Sequence, residues 1–170
     1  DLANKMQLVT KFSDEEIVSA EAMLLTFTKI GKDVFPDATQ ATADMAQKFG
    51  MDMSQAAITL GKALNDPIAG VTALRRIGVQ LTDQQEAQIK SFIAVGDIAS
   101  AQKIILGELT TEIGGVAEAF GKTSGGQMAI FMNKLDNMKE VIGAALIPSL
   151  IRFMDAITPM IVAFTNAPPA

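Results

Sequence analysis

The sequence predicts an all-α protein: a compact multi-helix bundle of short helices followed by a longer, Pro-interrupted C-terminal apolar helix. Three observations carry this. Ala, Met, Leu, Gln, Lys and Glu are plentiful and aromatic residues make up only 5%, with no Tyr or Trp, a bias towards helix. Helix-start and helix-stop signals recur in dense order. No segment shows the strict apolar/polar alternation of a half-buried strand.

The elements follow in chain order. Leu2 to Phe12 reads as the end of a helix. Ser13 and Glu16 have capping-box spacing, with Ile17, Ala20, Leu24 and Phe27 on one stripe and Gly31 as the stop. Pro36 suits the first turn of a helix running through Ala41 and Met45 to Gly50. Asp52 with Gln55 caps the next, which carries Ile58 and Leu64 and ends near Asn65.

Pro67 opens a further helix, closed by Gly78 after Leu74 and Ile77. Thr82 with Gln85 caps the helix bearing Ile89, Phe92 and Ile93, and Gly96 ends it. Asp97 starts the stripe Ile98, Ala101, Ile105 and Leu109, which the Gly114-Gly115 pair breaks. A short helical turn from Val116 to Phe120 leads into Gly121 and a flexible turn at Ser124-Gly125-Gly126.

The C-terminal stretch changes character. Met128, Phe131, Leu135, Met138, Ile142 and Ala145 fall at 3-4-3-4-3 spacing, a heptad seam. Leu146, Leu150, Phe153, Ile157, Met160 and Phe164 continue it one residue out of phase, and Pro148 and Pro159 are expected to kink or divide the helix. The organisation expected is one helical domain over 1–165, excised from a longer chain because no initiator Met opens it, with 166–170 beginning a linker. No basic n-region with an apolar core suggests a signal peptide.

Composition narrows the chemistry. With 170 residues, about half apolar and 19% charged, the chain is suited to a folded core. Without His or Cys, zinc, haem and iron–sulfur sites, thiol nucleophiles and imidazole-based triads lose their usual groups, and no cofactor is expected. The net charge is −5 and no basic run exceeds Arg75-Arg76, so direct nucleic-acid binding is not expected.

The candidate motifs have plainer explanations. Gly121-Lys122-Thr123 lacks the glycine that a phosphate loop needs five positions earlier, where Val116 stands. Asp14-Glu15-Glu16, and Asp83 near Glu86, complement helix dipoles. Most of the ten methionines, Met128 and Met138 among them, fall on apolar stripes and are assigned to core packing.

Val141 to Phe164 carries only Arg152 and Asp155 as charges, three apart and able to pair. It reads as a helix buried in the core or between subunits, or as a membrane-contacting segment, although its charges and prolines make insertion costly. The candidate self-association or core seam is Met128, Phe131, Leu135, Met138, Ile142, Leu146, Leu150, Phe153 and Ile157.

A further likeness lies in the order of the boundary residues. Asp66-Pro67 and Gly70 are followed by Ala73-Leu74-Arg75-Arg76-Ile77-Gly78-Val79 and Leu81-Thr82 with Gln85. Then come Gly96-Asp97, Ala101-Gln102, Ile105-Leu106, Gly114-Gly115, Thr123 to Gly126, Leu135, Ile142-Gly143 and Leu146 to Leu150 around Pro148. Together they resemble the helical domain of bacteriophage and prophage tail tape measure proteins. The likeness runs from about Ser13 to Pro148 and is strongest over Asp66 to Gln127.

The resemblance implies a structural, non-enzymatic domain in the phage tail lumen, and in the host cytoplasm during assembly. It implies a role in tail assembly and length determination, several copies per tail, and tail tube and tail-assembly chaperone proteins as partners. It supplies no catalytic residues, and nothing here matches the peptidoglycan-cleaving domains of some members. The alternative function is a membrane-active domain aiding genome delivery through Val141 to Phe164.

Overall fold

A computed structural model describes residues 2–165, with side chains to 159. Among them every regular element is a helix: α1 Leu2–Met6, α2 Asp14–Leu25, α3 Phe35–Phe49, α4 Met53–Asn65, α5 Pro67–Arg76, α6 Asp83–Ala94, α7 Ile98–Ile113, α8 Val116–Gly121 and α9 Ser124–Thr165. The all-α bundle with a long apolar C-terminal helix is thus the observed architecture. Where the sequence suggested one domain over 1–165, contacts group the chain into two units, Asp1–Ile130 and Phe131–Ala170. The expected linker at 166–170 lies outside the described residues.

Helix starts in the first unit are set by short polar side chains. The Ser13 hydroxyl accepts from Glu16 N–H while the Glu16 carboxylate accepts from Ser13 N–H. Thr82 and Gln85 make the same reciprocal pair. Asp52, Asp66 and Asp97 each accept from the backbone N–H three residues on. Each such cap satisfies an amide that the helix cannot bond itself. Gly50, Gly78, Gly96 and Gly115, which close or join helices, have positive φ.

Some boundaries differ from the expectation. α1 stops at Met6, and Thr10, which is buried, turns back to bond the Met6 carbonyl. α2 stops at Leu25 rather than Gly31 because Thr26 bonds the Met23 carbonyl, which lets the Phe27 ring lie over Gly61 of α4. Gly125 and Gly126 form no flexible turn. They lie in the first turn of α9, where Thr123 accepts from Gly126 N–H at 3.1 Å. A side chain at 126 would collide with the backbone of Phe120 and Gly121, so glycine permits a close α8–α9 junction.

The core of the first unit lies among α2, α3, α4, α5 and α7. α2 packs on α4, α4 on α3 and α5, and α7 on α3, α5 and α6. Ile17, Leu24, Met45, Leu60, Leu64, Leu74, Ile105 and Leu109 are fully buried there. Many facing residues are alanines (Ala20, Ala43, Ala46, Ala56, Ala57, Ala63), which let the helices approach closely.

Two buried polar groups hold distant segments. Gln102, 1% exposed, donates from Nε2 to the carbonyls of Lys29 (2.8 Å) and Leu64 (2.9 Å). Asp44, 2% exposed, accepts from the backbone N–H of Gly115 (3.1 Å) and Ala117 (2.9 Å), and from Gln40 Nε2.

Two stability predictions follow from these bonds. Gln102→Leu leaves two backbone carbonyls without their donor and should lower the unfolding free energy by about 2–3 kcal/mol, read from urea melts by circular dichroism. A loss within experimental error would show that the clamp contributes nothing. The Asp97 carboxyl, held below the usual carboxylate range by Ser100 Oγ and then by Ser100 N–H, stabilises the start of α7 near neutral pH. That contribution fades as pH falls from the ordinary aspartate value through the lower folded one. Asp97→Asn should therefore make α7 amide exchange less sensitive to acid, and an unchanged acid response would refute the role.

Candidate functional site

α9 is where the first unit's rules stop applying. Its 42 residues make a helix of about 63 Å. Pro148 and Pro159 lie inside it and neither divides it. Pro148 removes one intrahelical bond, that to the Ala144 carbonyl, and the residues around it are exposed, so water can reach the freed group.

The seam residues do not form a core. Met128, Phe131, Met138, Ile142, Leu146, Leu150 and Phe153 are 54–61% exposed, while Leu135 and Ile157 are half-buried. The assignment of Met128 and Met138 to core packing is therefore corrected. Helical spacing sets which side chains share a face, but not whether anything in the chain covers that face. Met6, Met45 and Met53 are the buried methionines among the described residues. The side chains of Met160 and Phe164 lie outside the described residues.

Because the helix is continuous, the two out-of-phase seams join. From Met128 to Ile157 the stripe takes eight steps over 29 residues, about 3.6 residues per turn. That is the period of a straight helix rather than of a supercoiled heptad. The charges of the first half are spread around it, with Lys139 paired to Asp136 at 2.7 Å. Arg152 and Asp155 make no ion pair with each other despite their spacing, and both are exposed.

Elsewhere the candidate motifs serve the fold. Arg75 pairs with Glu86, tying α5 to α6. Asp14 and Asp83 stand in first helical turns, and Lys122 pairs with Glu118 on α8 at 2.8 Å. A cleft of about 510 Å³ opens between α3 and α7, bordered by Asp37, Asp44, Lys103, Leu106 and Ile113. Its one buried carboxylate, Asp44, is already engaged by the amides at the start of α8, a role 71–73 residues away that no local pattern announced. Among the described residues no group of three or more acids is placed to hold a metal ion.

No protein-family model, curated protein or solved structure matches this chain.

Since the stripe lies on the surface, Met138→Asp with Ile142→Asp should leave hydrogen exchange in α2–α7 unchanged. Leu60→Ala, by contrast, should cost about 2–5 kcal/mol and accelerate exchange there. Faster exchange throughout the first unit in the α9 variant would make the stripe a structural part of the core.

Proposed function

We propose that this chain is a structural, non-enzymatic domain of a phage tail tape measure protein. It acts in tail assembly and length determination by helix packing and self-association. The observation that carries the reading is the ordered series of boundary residues from Asp66 to Gly126, the stretch where the resemblance is strongest. Asp66, Thr82 and Asp97 cap helices, Gly78, Gly96 and Gly115 have positive φ, and Thr123 caps α9. Such residues specify a fold and leave the surface free to vary. In the same direction, most of the exposed large apolar side chains among the described residues lie on α9.

On this reading the partners are further copies of the chain, tube proteins and assembly chaperones, and the place of action is the tail lumen. A second reading has one observation in its favour. Ser124–Pro159 is long and apolar enough to cross a membrane by length and composition, and none of that window is buried. It makes α9 a membrane-contacting element during genome delivery.

Immunoblotting of denatured, purified particles from the strain that encodes the chain tests the first reading. The expected result is a band in the tail fraction, and an in-frame deletion of codons 131–165 should alter tail length or abolish tails. Absence of the chain from purified tails would refute the tape measure assignment.

A further inference from the structure

We infer that the apolar face of α9 is a reversible oxidation site. A peroxide converts its methionines to sulfoxides and turns the face from apolar to polar, while the first unit is left intact. The site belongs to the single chain and stands whatever the chain's place of action.

Composition confines the chemistry to one residue type. The sequence has no Cys, Trp, Tyr or His, which leaves methionine as its one readily oxidised side chain. Position then divides the methionines. Met6, Met45 and Met53 lie in the interior of the first unit, at 3%, 0% and 1% exposed. Met128, Met132, Met138 and Met154, all on α9, are 60%, 47%, 57% and 51% exposed. Met23 and Met51 are half-buried. Peroxide must reach the sulfur itself, and a close-packed interior keeps it out, so susceptibility follows exposure.

The four exposed sulfurs also stand where a change of polarity has most effect. With 3.6 residues per turn, Met128, Met132 and Met138 fall within the arc of about 120° that holds the stripe from Met128 to Ile157. Met154 lies about 40° beyond that arc, one turn on from Leu150. From first to last they are spread along about 39 Å of helix. Leucine would supply similar apolar bulk at these positions, and the thioether adds sensitivity to oxidants.

In the reaction a sulfur lone pair attacks one oxygen of the hydroperoxide. The S–O bond forms as the O–O bond breaks, and the proton on the attached oxygen passes to the departing hydroxide, which leaves as water. Sulfur loses two electrons and the peroxide gains them. The product is polar and chiral where the thioether was apolar, a change that disrupts Met-rich surfaces. A dithiol-dependent sulfoxide reductase reverses it, the oxygen leaving as water while two thiols become a disulfide.

Dilute hydrogen peroxide on the full chain, followed by peptide mass mapping, tests this. Met128, Met132, Met138 and Met154 should take up oxygen at least about tenfold faster than Met6, Met45 and Met53. Retention of the intact chain on a hydrophobic-interaction column should fall, and should return after treatment with both methionine sulfoxide reductases and dithiothreitol. Hydrogen exchange in α2–α7 should not change. A variant carrying Met128→Leu, Met132→Leu, Met138→Leu and Met154→Leu should keep its retention through the peroxide step. Equal rates across the seven methionines would overturn the site, as would slow uptake by all of them. Unchanged retention of the oxidised parent, or an equal loss in the leucine variant, would overturn the change of polarity, and retention that the reductases fail to restore would overturn its reversibility. None of these outcomes bears on whether the chain is found in tails.

Discussion

A helix leaves up to four amide hydrogens at its start and four carbonyls at its end without partners, whatever its length. In the first unit the intact helices run from 5 to 16 residues, so chain ends make up a large fraction of the backbone. A bundle of this kind stands or falls on how those groups are bonded once water is excluded. Most starts are closed locally, by Ser13, Asp52, Asp66, Thr82 and Asp97. The buried ones are closed from a distance. Asp44 on α3 bonds the amides at the start of α8, and Gln102 on α7 bonds carbonyls at Lys29 and near the end of α4. These side chains do what an apolar residue cannot: they satisfy polar backbone and fix which helix lies against which, because hydrogen bonds have direction and hydrophobic contacts do not.

What was legible in the sequence follows from how far each interaction reaches. Capping is a three-residue event, so Ser13 with Glu16 and Thr82 with Gln85 were readable as pairs and are bonded as pairs. The amides that Asp44 bonds lie 71 and 73 residues on, beyond the reach of any local pattern. Gln102 was visible only as part of a likeness, with no hint that it was buried. Gly125-Gly126 misled for a related reason. Two glycines signal a turn when only neighbours are considered, whereas Gly126 is needed because the backbone of Phe120 and Gly121 comes too close for a side chain.

The stripe on α9 shows a different limit. Spacing correctly placed Met128, Phe131, Met138, Ile142 and Leu146 on a common face, and a common apolar face inside a 170-residue chain most simply means a core. The structure separates those two statements. The first unit already fills its interior with Leu24, Leu60, Leu64, Ile105 and Leu109. After Ile130, Phe131, Met138, Ile142, Leu146 and Leu150 are 54–61% exposed. Periodicity is a property of one helix, and burial is a property of what stands opposite.

The contrast between the units also bears on what a length-setting role would require. As one helix the whole chain would reach about 255 Å. The glycine, proline and capping residues up to Gly126 rule that out, because they stop every helix before α9 at about 24 Å or less. Over 131–165 the opposite holds. The prolines are tolerated, the apolar period matches a straight helix, and each residue adds about 1.5 Å. Any contribution of this chain to a linear measure would therefore come almost entirely from α9. The first unit's length would depend on packing rather than on residue count.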